Sequence, residues 1–358
     1  MALQLLEGSE AIAEAAIACG LRFYAGYPMA PATDLLEHMA AKLPKHGGVC
    51  INAETEISGV NMAIGASMTG FRAATGSCGQ GLSLMQEAIA EVALNETPLV
   101  IFNMGRNQQD YFQATRGGGW GDYRTIALAP KDGPEAVELT QLAFHLADKY
   151  RVPVIVYGDN MLARTQTGVD TDSRDFGPLE PKDWQLDGVT GGTGRSKQIW
   201  TWGAGKHNTP GPGPHTYWTQ IAEKFTRIAA AEQRWEQEYC DDAEVVVTAF
   251  GTGGKFIEYV VHELRREGHR VGYFRPITLW PFPEDPLDRA TANARLALVF
   301  ELNAGQMIED VRLSLGKRIP IRAIGGISFD TSGLNIGPLM DAAIIKDRIL
   351  KAMRGEPL

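Results

Sequence analysis

Residues 49–68 read VCINAETEISGVNMAIGASM, and the change of pattern inside this stretch decides the fold class. Val49–Ala53 has the composition of a short strand. From Glu56 onward the apolar residues Ile57, Val60, Ile64 and Met68 recur at helical spacing, which predicts a helix with that stripe buried. A strand running straight into a helix is the unit of a parallel sheet. The unit also occurs just before: a strand at Leu21–Ala25, a Pro-rich turn at Gly26–Pro31 and a helix at Thr33–Leu43 follow a helix over 10–18 with Ser9 as N-cap and Gly20 as stop.

Downstream, strands are expected near Arg72–Gly76, Leu99–Met104, Thr125–Ala129 and Pro153–Tyr157, with helices near Leu82–Leu94 and Pro134–Lys149. Such alternation predicts a parallel sheet covered on both faces. From about 162 to 215 periodicity gives way to Gly, Thr and Pro, as in GVTGGTGRSK and HNTPGPGPH, the pattern of a long connection. A helix over Tyr217–Gln237 then leads to a second α/β layer. Its strands are expected at EVVVT, Arg270–Phe274, Leu296–Glu301 and Pro320–Ile324, its helices near Gln306–Leu315 and Gly337–Arg354. The expected architecture is two doubly wound α/β domains, residues 1–238 and 239–358.

The 358 residues carry a net charge of −9, which opposes a nucleic-acid or anionic-membrane surface. No apolar run reaches the roughly 18 residues of a membrane helix, and the acidic residues of the opening segment argue against a signal peptide, so a cytoplasmic protein is expected. Cys19, Cys50, Cys78 and Cys240 form no CxxC, and the histidines form no HxH or HExxH, so no metal site is signalled on this chain.

Four loops at expected strand ends carry the candidate chemistry. GYPMAP (Gly26–Pro31) is a rigid turn or a ligand wall. Glu56 is either a solvated helix-start charge or a carboxylate drawn into a cavity. TGSCGQGLSL (Thr75–Leu84) passes through glycines into a helix, which suits close approach of a ligand to the backbone. Arg106 follows PLVIFNMG and can hold a carboxylate bidentately. DYFQATRGGGWGDYR (Asp110–Arg124) suits a substrate-enclosing loop or a contact with a neighbouring subunit. GTGGK (251–255) is read as a strand-to-helix turn, since its Lys is too close for a phosphate loop.

The ordered series GYPMAP, ETEISGVNMAIGAS, SLMQEAI, DYFQATRGGGWGDYR, LADKYRVPVIV, ITLWPFPED and ELNAGQMIEDVR resembles the α subunit of 2-oxoacid:ferredoxin oxidoreductases, in the pyruvate:ferredoxin oxidoreductase superfamily. The resemblance is strongest to the 2-ketoisovalerate (branched-chain) type and covers nearly the whole chain. It implies a thiamine-diphosphate pyrimidine-binding-like domain followed by a transketolase C-terminal-like domain. By the same resemblance Glu56 would be catalytic, hydrogen-bonding the aminopyrimidine N1′, with Tyr27, Cys78, Gly79 and Gly81 beside the cofactor. Pro28, Ala30 and Arg106 would meet the substrate, Arg106 taking its carboxylate.

A β subunit would carry the diphosphate and Mg²⁺, in keeping with the lack of a GDG motif here; GDN at Gly158–Asn160 lacks the context. Iron–sulfur clusters would lie on further subunits, with a γ subunit in some assemblies. The implied reaction converts a branched-chain or aromatic 2-oxoacid and coenzyme A to an acyl-CoA while reducing ferredoxin. Two departures stand out. The family turn usually reads GYPITP, whereas Ala30 offers no hydroxyl, and Cys78-Gly79-Gln80-Gly81 replaces the family's Ser/Pro-Gly segment. They leave open a non-oxidative decarboxylase subunit and a non-catalytic scaffold subunit.

Overall fold

The computed structural model describes residues 3–188, 211–329, 336–338 and 340–357. Among them, seven strands form the larger sheet, ordered from edge to edge Thr278–Trp280, Ile126–Leu128, Pro153–Asp159, Leu99–Gly105, Arg72–Ser77, Leu21–Gly26, Val49–Asn52. All pair in parallel except Thr278–Trp280, which runs antiparallel to Ile126–Leu128. Val100, Phe102 and Met104 enter one core and Leu99 and Ile101 the other. A sheet buried on both faces explains why these strands read as unbroken apolar runs.

The second sheet has five strands, ordered Ile321–Ala323, Leu296–Val299, Val245–Thr248, Val271–Pro276, Trp235–Glu238, the last of them antiparallel. Val245, Val247 and Leu298 pack with Ile257 and Val260 of the helix Gly251–Arg266. On the opposite face Val246, Phe274 and Val299 join the core that holds Leu99, Ile101 and Ile155. The two layers therefore share apolar contacts rather than resting on a wet interface.

Several elements depart from the sequence expectation. The helix expected over Tyr217–Gln237 spans Pro214–Ala231, and Trp235–Glu238 is an edge strand instead. The helix expected over Leu82–Leu94 breaks at Met85 into Gln80–Leu84 and Gln86–Leu94. Ser9 lies inside the helix Gly8–Ala18 and does not cap it, whereas Gly20, at φ 97°, does follow its end. The last helix begins at Ala342, capped by Asp341. The long connection opens with the helix Asn160–Arg164 and the strand Gln166–Val169, which pairs with Gln4–Glu7. His207 lies outside the described residues, and His215 sits in the helix Pro214–Ala231.

Arg275 fastens the layers. Fully buried, it donates to Glu135 at 2.6 and 2.9 Å, to Glu236 at 2.7 Å and to the Ala129 carbonyl at 3.2 Å. Gly254 of GTGGK makes room for it, since a Cβ there would sit 2.5 Å from Arg275 Cδ. GTGGK is the strand-to-helix turn expected, opening the helix Gly251–Arg266 with Gly251 at φ 55°. Burial alone would raise the Glu236 carboxyl, but hydrogen bonds and charge from Arg275, with Lys131 and Tyr273, hold it at about 2.

A depressed folded-state value means that this pairing stabilises the fold above the unfolded carboxyl range and loses that effect as pH falls toward the folded value. The Tm gap between the parent protein and Glu236→Gln is therefore expected to shrink as pH falls from about 5 to about 3; a gap independent of pH in thermal melts would contradict the pairing. Arg275→Met, which takes the buried guanidinium from Glu135 and leaves Glu236 with only Lys131 and Tyr273, is expected to cost about 3 kcal/mol in denaturant titrations.

Candidate functional site

In the larger sheet the chain runs from Leu21–Gly26 to Val49–Asn52 on one side, then returns to Arg72–Ser77 on the other. The order reverses there, and the crevice at the carboxyl ends of such strands is where doubly wound sheets take ligands. GYPMAP leaves the first of these strands, Glu56 follows the second, Ser77–Gly81 leaves the third, and Arg106 follows the neighbouring Leu99–Gly105. The four expected loops are brought to one edge.

Glu56 opens the helix Glu56–Met68, capped by the Thr55 hydroxyl, and is only 4% exposed. Glu54 is exposed, so the two carboxylates do not share an environment. The buried face of the helix is Glu56, Gly59, Val60, Ala63 and Ser67. This corrects the expected stripe: Val60 is buried, Ile64 and Met68 are half-buried, and Ile57 is 49% exposed. The cause is steric. A Cβ on Gly59 would lie 3.3 Å from the Ala25 carbonyl oxygen, so the small residues bring the helix close to the strand Leu21–Gly26 and rotate Ile57 outward.

Against the Glu56 carboxylate stand Ser77 and Gly81. Ser77 Oγ donates to Glu56 Oε1 at 3.3 Å, and a Cβ on Gly81 would overlap both Ser77 Oγ and Glu56 Oε1. Other buried carboxylates are better supplied. Asp159 accepts from Met161 N, Leu162 N and the Thr252 hydroxyl, while Glu301 accepts from the backbone N–H groups of Gln306, Met307 and Ile308. Among the described residues, Glu56 has the long Ser77 contact alone. A buried carboxylate so poorly supplied is costly unless another donor meets it.

The glycine turn is held from below. Asp110, 7% exposed, accepts the Gly79 N–H at 2.9 Å, and Asn103, with its amide nitrogen turned inward, donates to both Asp110 Oδ2 and the Ser77 carbonyl at 3.2 Å. Burial raises the Asp110 carboxyl, and the Gly79 and Asn103 bonds and the Arg106 charge oppose that rise. Gly79 has φ 52°, a backbone that disfavours side chains. The fully buried Cys78 thiol, pushed up to about 11 by burial, donates to the Ala30 carbonyl at 3.4 Å. It stays protonated at neutral pH and ties two turns together.

Tyr27, Pro28 and Ala30 are exposed along the GYPMAP turn, where the Ala30–Pro31 peptide is cis. Arg106 is exposed, and its guanidinium reaches Gln80 Oε1 and Met29 Sδ, each at 3.3 Å. Gln80 entered the sequence reading only as part of the Cys78–Gly81 departure, and Ser77, Asp110, Asn103 and Met29 only as members of quoted stretches, with no role given to any of them; the buried polar role of Asp110 and Asn103 depends on the strand pairing.

Part of Asp110–Arg124 is tied to the second layer. Tyr111 is buried and donates to Asp310 at 2.7 Å, where Arg116 also binds at 2.9 Å; Gln306 Oε1 accepts the Phe112 N–H at 2.9 Å. Gly118 and Gly119 donate their N–H groups to the Tyr123 hydroxyl at 3.1 and 3.0 Å, and a Cβ on either would press on Gln86. The glycines here permit close contact. Asp159 of GDN caps the helix Asn160–Arg164 and accepts from Thr252. Among the described residues no cluster of His, Cys, Asp and Glu suits a metal ion, and no helix is long and apolar enough to cross a membrane.

Residues 14–180 match the family described as "Pyruvate flavodoxin/ferredoxin oxidoreductase, thiamine diP-bdg", and residues 243–332 match "Pyruvate:ferredoxin oxidoreductase core domain II". Two relatives come from Methanothermobacter thermautotrophicus. Ketoisovalerate oxidoreductase subunit VorB is 34% identical over 89% of this chain and 91% of its own length; 2-oxoglutarate synthase subunit KorA is 35% identical over 86% and 89%. Among solved structures, the 2-oxoglutarate:ferredoxin oxidoreductase from Magnetococcus marinus aligns with a TM-score of 0.82 at 25% identity, over 98% of this chain and 65% of that one. A split-gene transketolase, at TM-score 0.58 and 11% identity, shares the fold. With a thiamine-diphosphate-binding domain matched across its first half and whole-length relatives among such subunits, the chain belongs to the 2-oxoacid:ferredoxin oxidoreductase family, as an α subunit.

Proposed function

We propose that this chain supplies the aminopyrimidine half of a thiamine-diphosphate site and that the assembled enzyme oxidatively decarboxylates a branched-chain or aromatic 2-oxoacid to its acyl-CoA. The observation that carries the reading is the Glu56 carboxylate, buried at the switch point with one weak donor and with Gly81 clearing the space before it. A protonated ring nitrogen is the donor such a carboxylate lacks. Bound thiamine diphosphate supplies a nucleophilic carbon for the 2-oxo group and an electron sink for loss of carbon dioxide.

Glu56 holds the proton at the ring nitrogen N1′, and Ser77 fixes the carboxylate through Oε1. Tyr27, Cys78, Gly79 and Gly81 wall the cofactor side, with Cys78 acting by packing rather than as a nucleophile. Pro28 and Ala30 bound the substrate side. Arg106 is the only cationic residue in the four loops GYPMAP, AETE, SCGQG and GRNQQD, and one cation suits one carboxylate. That count favours a monocarboxylic 2-oxoacid over a dicarboxylic one. The relatives do not decide between them, since ketoisovalerate and 2-oxoglutarate subunits match about equally well.

The partners in this reading are a β subunit bearing the diphosphate and Mg²⁺, an iron–sulfur subunit that passes single electrons to ferredoxin or a related acceptor, a γ subunit, and coenzyme A as acyl acceptor. Iron in the purified complex and turnover that requires an electron acceptor separate it from a non-oxidative decarboxylase.

In the purified complex Glu56→Gln is expected to lower kcat by about 100-fold or more with subunit composition unchanged on size exclusion. Parental turnover would refute the assignment. Gly81→Ala, which adds a methyl where the carboxylate lies, is expected to cost about 1–3 kcal/mol of stability and to raise the thiamine diphosphate concentration needed for half-activation. A fully tolerated alanine would show that the carboxylate does not work from this position.

A further inference from the structure

Arg106 is held in an unusual way for a guanidinium beside a buried carboxylate. Asp110 lies near enough for the Arg106 charge to act on it, yet its Oδ2 is engaged by Gly79 N–H and the Asn103 amide. The hydrogen-bond partners of Arg106 among the described residues are uncharged: Gln80 Oε1 on Nη1 and Met29 Sδ on Nη2. A thioether is a weak acceptor, so the amide oxygen is the stronger of the two holds. Of the five N–H donors of a guanidinium, these contacts use two and leave one on each Nη as well as Nε–H.

The origin of the Gln80 side chain is itself fixed. Gln80 follows Gly79, which is pinned by Asp110 at φ 52°, and it is the first residue of the helix Gln80–Leu84. Its side chain is exposed at the edge where the four loops meet. Oε1 takes the Arg106 contact, and the amide nitrogen beside it has no hydrogen-bond partner among the described residues. Ala30, on the opposite turn, provides no side-chain donor.

We propose that Gln80 is a positioning and specificity residue for the substrate: its amide oxygen orients Arg106 without neutralising it, and its amide nitrogen is a second donor to the carboxylate end of the 2-oxoacid. The proposal rests on Arg106 being the carboxylate clamp. An acidic residue at position 80 would defeat both functions, by pairing with Arg106 and by repelling the substrate carboxylate. An apolar residue of similar size would remove the hold and the donor while leaving the charge in place.

The test uses the complete complex, with pyruvate, 2-oxoisovalerate, phenylpyruvate and 2-oxoglutarate offered in turn and KM and kcat measured for the one turned over fastest. Gln80→Leu is expected to raise KM roughly three- to tenfold, with kcat and the thiamine diphosphate requirement within about twofold of the parent. Gln80→Glu is expected to raise KM on the order of thirtyfold or more. Parental KM in both variants overturns the proposal, and so does a loss confined to kcat, which marks damage to the turn. Arg106→Lys runs alongside. If its KM rises while both Gln80 variants behave as the parent, only the role of Gln80 fails; if its KM is unchanged, the carboxylate clamp itself is wrong.

Discussion

The constraint on which the site depends is the burial of the Glu56 carboxylate. Removing a charge from water is expensive, and folded chains compensate with several donors. This chain does so at Asp159 and Glu301, each met by three. At Glu56 it does not. The helix that carries the residue lies close against the strand Leu21–Gly26 at Gly59, which keeps the start of the helix, and Glu56 with it, at the buried end of that strand. Gly81, whose backbone needs no unusual angle, is a glycine because a side chain would occupy the space in front of the oxygen.

A second dependence runs through Gly105–Arg116. At one end Arg106 faces the crevice and Asp110 holds the glycine turn; at the other Tyr111 and Arg116 bind Asp310. Between them Gln108 donates to the Phe250 carbonyl at 3.0 Å and accepts from Leu302 N at 2.9 Å. The second α/β layer therefore does more than sit beside the first. Its glycine-rich turn and its Asp310 helix set where the site's basic residue and its supporting carboxylate begin.

Much of this is legible in the sequence because it depends on local pattern. Buried parallel strands are unbroken apolar runs, and turns at their ends carry Gly and Pro, so pattern alone places GYPMAP, Glu56, SCGQG and Arg106 at one edge. What pattern does not reveal depends on partners distant in the chain. Trp235–Glu238 has helix-forming composition, but Glu236 pairs with Arg275 at the edge of a sheet, and that contact decides its state. Thr278–Trp280 is only three residues long and pairs with a strand about 150 positions earlier. The Glu56 helix shows the right period but the wrong face, because Gly59 and Ala63, rather than the larger apolar residues, make the closest approach.

The outward turn of that helix has a further consequence. Ile57, Met62 and, on the helix after the glycine turn, Leu84 are between 41% and 51% exposed. A correctly folded chain produced by itself would still present these oily side chains to water. Its recombinant yield and tendency to precipitate would then report the colloidal stickiness of these side chains, and a poor preparation of the isolated subunit would not be evidence of a poor fold.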